Sequence, residues 1–255
     1  MLFDTHTHFD ASQFDADRHE VLAGLPGRGV SLALNPGCDI PSSRAAVALA
    51  EQYPFLYAAI GYHPEECAPY AESDLDTLRE LAKHPKVVAI GEIGLDYYWE
   101  ENPPKELQQQ VFRAQMQLAE ELNLPVIVHD REAHADCLAI VKEFPKVRGV
   151  FHCYSGSAED AKTLIKLGWH LSFTGTITFK NARKAPEVIA AVPMERIMVE
   201  TDAPYMAPTP FRGKRCDSRY VYRMAQTIAE IKGLTREEVE TITTENGKRL
   251  FGIED

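Results

Sequence analysis

Histidine and carboxylate side chains recur in this sequence directly after short apolar runs, and together they could hold divalent cations. The residues that carry this pattern are His6, His8, Glu92, His129, His152 and Asp202. Side chains alternate between faces along an extended strand, so His6 and His8 project to the same side and can grip one cation together. Imidazoles and carboxylates are the ligands that zinc and similar ions prefer. Four histidines and two carboxylates exceed one tetrahedral shell, which favours two cations. A carboxylate such as Glu92 can bridge a cation pair that ionises a water for attack on an ester.

The elements that must position these residues follow a regular rhythm. Eight apolar runs of strand length occur at residues 2–5, 30–34, 55–60, 87–90, 126–128, 149–151, 169–173 and 197–199. Amphipathic stretches with apolar residues at three-to-four spacing predict helices at residues 42–53, 75–83, 105–122, 133–144 and 158–167. The segment 178–191 is poorly patterned. Two further helices are expected at residues 218–232 and 236–248, the last of them packed on the outside.

This alternation predicts a parallel sheet closed into one (β/α)8 TIM barrel with an extra C-terminal helix, and residues 1–255 as a single domain. An open, doubly wound sheet is the alternative fold. Active sites of such barrels form where the carboxyl ends of the strands meet, here called the barrel mouth. All the candidate ligands follow strands and are therefore expected at the mouth.

Each candidate also has an ordinary explanation when taken alone. The His6-x-His8 pair could be incidental, Glu92 could pair with a nearby Lys or Arg, and His129 or His152 could be a core histidine with satisfied hydrogen bonds. Asp202, before Ala-Pro, could belong to an Asx-turn. Their common position at strand ends favours one shared site over separate explanations.

Composition limits the function classes. The chain has 27 basic and 38 acidic residues and a formal charge of −11, so nucleic-acid binding requires a local basic patch. The five cysteines are widely spaced without a Cys-x-x-Cys pair, which indicates reduced thiols and a cytoplasmic location. The sequence shows neither a signal peptide nor an apolar stretch of about 18 residues, so we expect a soluble protein without membrane or obligate protein partners.

Several stretches, taken together, resemble the TatD-type deoxyribonuclease family of the amidohydrolase superfamily. They are His6-x-His8, the run from Gly91 to Tyr98, Val126-Ile-Val-His129, Phe151-His152-Cys-Tyr-Ser-Gly156 and Glu200-Thr-Asp202-Ala-Pro-Tyr205. The resemblance extends from residue 2 to about 252, and includes Asn246-x-x-Arg249-Leu-Phe. No single motif would suffice, but the set is specific.

The resemblance implies a TIM-barrel hydrolase that cleaves DNA with two divalent ions, which could be Zn, Mg, Mn or Ni. It further implies that His6, His8 and Asp202 hold one ion, that His129 and His152 hold the other, and that Glu92 bridges them. Relatives commonly continue Arg-Gly-Lys-Arg with Asn-Glu-Pro, whereas here Cys216, Asp217 and Ser218 follow Arg215. This departure leaves the ligand set intact but puts substrate contacts from the loop in doubt.

The expected reaction is exonuclease-like cleavage of DNA phosphodiester bonds by a metal-activated hydroxide, with Asp202 and Glu92 as catalytic residues and Asp202 as the base. His63 could bind phosphate or only shape a turn before Pro64. A basic cluster could receive the DNA backbone, or be a solvated surface: it comprises Arg212, Lys214, Arg215, Arg219 and Arg223, of which the first three are the predicted substrate contacts. Tyr97, Tyr98 and Trp99 could stack on bases or pack as a lid.

Other functions compete with this hypothesis. The same two-metal centre could hydrolyse a small ester, amide or lactone, because a fold does not settle the substrate. A metal-binding protein without turnover is a second alternative, although a base beside the metals would be superfluous there. A nucleophilic enzyme using Cys153 beside His152 is the weakest, because Cys153 points to the opposite face of the strand.

Overall fold

The computed structural model describes residues 1–254 and contains one sheet of eight parallel strands in sequential order. The strands are β1 (Leu2–Asp4), β2 (Val30–Pro36), β3 (Leu56–Ile60), β4 (Val87–Asp96), β5 (Val126–Arg131), β6 (Gly149–Phe151), β7 (His170–Phe173) and β8 (Ile197–Val199). Backbone hydrogen bonds join β8 and its following segment to β1: Thr5 N donates to Val199 O, and Asp202 N donates to His6 O. The barrel is thereby closed beside the candidate site, and the open-sheet alternative is wrong.

Within the described residues, seven helices connect successive strands, as parallel pairing requires, and two more follow β8. They are α1 (Arg18–Gly24), α2 (Ile40–Ala50), α3 (Asp74–Leu81), α4 (Lys105–Leu122), α5 (His134–Glu143), α6 (Ala158–Lys166), α7 (Lys184–Ala191), α8 (Tyr222–Lys232) and α9 (Arg236–Phe251). The predicted (β/α)8 barrel with an additional C-terminal helix, α9, is confirmed. No described helix is both long and apolar enough to cross a membrane.

Three strands, β2, β4 and β5, extend further than their apolar runs predicted, and the extensions of β4 and β5 position candidate ligands. The β4–β5 ladder continues through the pairs Gly94 with His129 and Asp96 with Arg131, so Glu92 and His129 lie within strands. Glycine is required at position 94, where φ is 141° and an added Cβ would lie 2.0 Å from the His129 carbonyl oxygen. This close approach brings the end of β4 against β5, where two of the candidate ligands are found.

Apolar side chains fill the barrel beneath the site as well as the space between strands and helices. Ile127 and Val150 lie two positions before His129 and His152, and strand alternation puts them on the same inner face. They share a buried cluster with Phe251 and Ile253, at and beyond the end of α9. Besides the outer packing predicted for α9, its last turn therefore also meets the cluster that fills the interior.

Candidate metal centre

The barrel mouth brings together all six side chains that the sequence singled out, and the Glu92 carboxylate lies at their middle. Glu92 and His6 are buried, and His152 and Asp202 are nearly so. The two oxygens of Glu92 face different groups of side chains. We call these the Oε2 set (His6, His8 and Asp202) and the Oε1 set (His129 and His152).

The Oε2 set is compact. Glu92 Oε2 is 3.2 Å from His6 Nε2 and 3.6 Å from His8 Nε2. Asp202 Oδ1 lies 3.7 Å from His6 Nε2 and 3.6 Å from His8 Nε2. The two Nε2 atoms are only 3.0 Å apart, so at most one proton fits between them. Their lone pairs converge on a point that a cation could occupy.

The Oε1 set is equally compact. Glu92 Oε1 is 2.7 Å from His152 Nε2 and 2.9 Å from His129 Nδ1, and these two nitrogens are 3.2 Å apart. The rings of His152 and His6 stack with centroids 4.0 Å apart, so the two sets adjoin. Three groupings of these residues, one of them including His63, have ligand atoms within 4.8 Å of one another, the spacing of a candidate metal site.

The positive charge that balances Glu92 comes only from its imidazole neighbours. Within residues 1–254, no Lys or Arg forms an ion pair with Glu92. A buried charge has to be paired or bound to metal. Nitrogen and carboxylate donors at this spacing fit zinc or a similar divalent ion, so the chemistry of the donor set suits the predicted cofactor.

Two carboxylates lie behind the centre, and the sequence analysis assigned a role to neither. Asp96 Oδ2 accepts from His129 Nε2 at 2.9 Å, which leaves Nδ1 of His129 free to face Glu92. Glu200 Oε1 lies 3.4 Å from His152 Nδ1, outside good hydrogen-bond geometry, and accepts from Cys153 N at 2.6 Å. A hydrogen-bonded carboxylate such as Asp96 fixes the tautomer and direction of a metal-binding histidine. Counting every second residue along the strand from Glu92 would have identified Asp96 as a side chain facing the same side.

The electrostatic surroundings shift the pKa values of Glu92 and His129 in opposite directions. Burial tends to raise the pKa of Glu92, but His152, His6 and His63 and the hydrogen bond from His129 hold it well below its usual range. Burial tends to lower the pKa of His129, yet hydrogen bonds to Asp96 and Glu92 raise it to about 9. The metal-free centre therefore holds an ionised Glu92 beside protonated imidazole, and a cation has to displace that proton to bind.

His63, which the sequence offered as a phosphate contact or a turn residue, also reaches the centre. Its Nε2 lies 3.4 Å from Glu92 Oε1, and its Nδ1 accepts from Glu65 N at 3.2 Å. Burial lowers the pKa of His63 to about 4, so the ring is neutral near pH 7. Because Nδ1 is the acceptor, the proton of the neutral ring resides on Nε2 and points to the centre.

Asp202 has an unusual backbone conformation that several hydrogen bonds hold in place. Its φ is 54°, in the left-handed region. Asp202 N donates to His6 O at 2.9 Å, and the preceding Thr201 N donates to Asp4 Oδ1 at 2.8 Å. Asp4 also accepts from the hydroxyls of Thr201 and Ser218. Ser218 belongs to the segment that departs from the family pattern, so this segment anchors the loop beside the site.

The predicted substrate-binding residues Arg212, Lys214 and Arg215 differ in whether an acidic side chain pairs with their positive charge. Arg215 forms a two-pronged ion pair with Asp17, with contacts of 2.7 and 2.6 Å, and lies over the Phe14 ring. Arg212 is exposed and lies 4.0 Å from the centroid of the Phe179 ring, and Lys214 is also exposed. Arg215 therefore offers less uncompensated charge than Arg212 or Lys214, and its contact with substrate stays a prediction.

Comparison with known proteins places this site in a family. Residues 3–252 match the family model described as TatD related DNase. The chain belongs to the TatD family. The resemblance inferred from the sequence motifs is thereby confirmed, and it extends over nearly the whole chain.

Individual relatives agree with this assignment. The metal-dependent hydrolase YabD of Bacillus subtilis is 48% identical, covering 99% of this chain and 100% of YabD. A Klebsiella pneumoniae TatD protein named a 3'-5' ssDNA/RNA exonuclease is 33% identical, with 99% and 98% of the two chains covered. The crystal structure of YjjV, a TatD homologue from Escherichia coli, superposes with a TM-score of 0.93 at 33% identity, covering 99% of this chain and 98% of YjjV.

Proposed function

We propose that this protein is a nuclease that cleaves phosphodiester bonds of DNA, in an exonuclease-like manner, at the centre around Glu92. Membership of the TatD family makes it a metal-dependent hydrolase acting on ester bonds. The observation that carries the proposal is the division of ligand atoms between the two oxygens of Glu92. The exonuclease name of one relative supports the choice of substrate. We treat residues 1–255 as one catalytic domain.

The proposed cofactor is a pair of divalent cations. His6, His8 and Asp202 would hold one, His129 and His152 would hold the other, and Glu92 would bridge them. The four imidazole ligands favour Zn or Ni over Mg, with Mn between them. When bound, such a pair lowers the pKa of a water and neutralises charge on the phosphoryl oxygens.

Asp202 is the proposed base. Burial raises its pKa, which moves this carboxylate towards the range in which a general base works near neutral pH. Its hydrogen-bonded backbone fixes the carboxylate between His6 and His8, so it can accept the nucleophile's proton without moving. We propose that the same carboxylate passes the proton to the leaving oxygen.

His63 is proposed to bind the substrate. Its Nε2–H points to the centre and can donate to a phosphoryl oxygen, while Glu65 N holds the ring from behind. A neutral ring that presents a proton is poorly suited to bind a cation through the same atom. Arg212 and Lys214 are the proposed phosphate contacts further out, and Arg215 holds the loop through Asp17.

We propose that the protein works in the cytoplasm. All five of its cysteines are free thiols, and Cys67, Cys137 and Cys216 are buried. Persistent free thiols are the usual condition in a reducing compartment.

The test is digestion of an end-labelled DNA oligonucleotide by purified protein loaded with Zn, Mn or Ni. We expect shortening from one end, its loss with EDTA, and a fall of at least about 100-fold for Asp202→Asn. Asp160→Asn, at the first turn of α6, serves as the matched carboxylate control. Metal-dependent cleavage of small esters or lactones without cleavage of the oligonucleotide would contradict the proposal and favour a small-molecule hydrolase.

A further inference from the structure

Large apolar side chains are exposed at few places in residues 1–254, and two of these places adjoin the barrel mouth. Tyr98 and Trp99 are 51% and 45% exposed in the loop after β4. Tyr205 and Met206 are 52% and 39% exposed in the loop after Asp202. Exposing such side chains to water is unfavourable, so clustered exposure beside a site indicates a binding surface.

The two loops lie on opposite sides of the centre. The eight strands follow in sequential order round the barrel, and β4 and β8 are therefore separated by half of its circumference. Tyr98 follows Asp96, the partner of His129, by two positions, and Tyr205 follows Asp202 by three. A ligand whose reacting group lies at Glu92 can thus extend over both loops.

The Tyr98–Trp99 patch has the construction of a stacking platform. The two rings meet edge to face with centroids 4.6 Å apart. The Arg131 guanidinium lies 3.9 Å from the Tyr98 centroid and 5.3 Å from that of Trp99. Tyr98 N donates to Asp96 Oδ1 at 3.0 Å, so the carboxylate that orients His129 also fixes the start of the patch.

We propose that the Tyr98–Trp99 patch and Tyr205 stack on unpaired nucleobases on either side of the scissile phosphate. This inference rests on the proposed nuclease function and assigns the residues that would hold a single strand, the substrate class named for one relative. In a duplex the bases stack on one another and their faces are not free, whereas an unpaired base can offer a face to an aromatic ring. Stacking accepts every base, so little sequence preference is expected.

Stacking rather than charge has to supply most of the attraction at this patch. Two acidic residues, Glu100 and Glu101, directly follow Trp99 and offset the charge of Arg131. Binding at the patch should therefore depend only weakly on salt, unlike binding through Arg212 and Lys214, which would release counterions. This difference separates the two surfaces experimentally.

The fluorescence of Trp99 provides a direct test, because the chain has two tryptophans and Trp169 is only 1% exposed. Metal-loaded protein is titrated with a single-stranded phosphorothioate oligonucleotide, which resists cleavage. We expect quenching by the single strand, but not by a blunt duplex or by bis(p-nitrophenyl) phosphate. The quenching should persist in Trp169→Phe and disappear in Trp99→Leu.

Kinetics test both sides of the mouth. Trp99→Ala and Tyr205→Ala should each raise KM for a single-stranded oligonucleotide by about fivefold to 150-fold, the usual cost of losing one stacked base. Turnover of bis(p-nitrophenyl) phosphate should not change. Leu167→Ala, at an exposed apolar residue after α6, is the matched control and should leave both substrates unaffected.

Equal quenching by duplex and single strand, or an unchanged KM in either aromatic variant, would overturn the stacking proposal while leaving the nuclease function intact. The opposite outcome is also measurable. Quenching by oligonucleotides that the metal-loaded protein never cleaves would support the stacking surface and contradict the proposed nuclease function.

Discussion

Replacing Asp96 with asparagine should weaken cation binding at the Oε1 set without changing the shape of the site. Asp96 Oδ1 accepts from Tyr98 N and Asn102 Nδ2, both at 3.0 Å, and asparagine can keep these contacts through its own Oδ1. Its Nδ2 then faces Nε2 of His129, so two donors meet. His129 can relieve this clash only by moving its proton to Nδ1, the atom that would bind the cation.

The size of the effect follows from the contact that is lost. Asp96 Oδ2 accepts from His129 Nε2 at 2.9 Å, and removing such a partner behind a metal ligand typically costs about 10–100-fold in affinity. We therefore expect cation affinity at one of the two sites to fall by about 10–100-fold.

Competition with a chromophoric chelator measures this affinity. Asp136→Asn is the matched control, because Asp136 accepts from the Tyr97 hydroxyl at 2.9 Å in the same region but does not contact the centre. Both variants should unfold at nearly the same temperature as the wild type when metal is bound. Unchanged affinity at both cation sites in Asp96→Asn would refute the proposed orientation of His129.

Three further outcomes are expected. Glu92→Ala should lose more bound metal than His63→Ala, because Glu92 faces both the Oε2 set and the Oε1 set whereas His63 presents a proton. Metal analysis measures both losses, and equal losses would mean that His63 is a metal ligand. The metal-free protein should lose stability as pH rises from about 6.5 through 9, because the pKa of His129 is raised on folding and its protonated form therefore stabilises the fold. Thermal unfolding across this pH range should show a falling melting temperature. The double variant of Arg212 and Lys214 to alanine should lower the log–log salt slope of DNA binding by about 1.4 to 1.8, while Arg215→Ala should change it less, and an unchanged slope in the double variant would remove this loop from the substrate site.

The sequence was most informative where local pattern and barrel geometry act together. Eight apolar runs separated by helical segments predicted the closed sheet, and polar residues directly after the runs predicted which side chains would meet. The runs underestimated β4 and β5, because a strand ladder continues through polar residues when a neighbouring strand pairs with them. Helix α1 was not predicted, since only Val21 and Leu22 among its seven residues are buried.

Contacts between segments far apart in the chain escaped the sequence analysis. Asp17 and Arg215 are 198 positions apart, so local spacing could not reveal that this pair consumes a charge expected to face substrate. Glu200 and Asp4 were missed for the same reason, because they act on the site through Cys153, Thr201 and other hydrogen-bond partners. The ligand positions follow from strand ends, whereas their supports depend on tertiary packing.

The number of cations held by Glu92 tests the central claim most directly. Metal content per chain, measured by mass spectrometry after loading and gel filtration, should be about two in the wild type. It should fall to about one in His8→Ala and in His129→Ala, which damage the Oε2 and Oε1 sets separately. A wild-type content of one or fewer, or loss of all metal in both single variants, would contradict a centre in which the two oxygens of Glu92 serve separate cations.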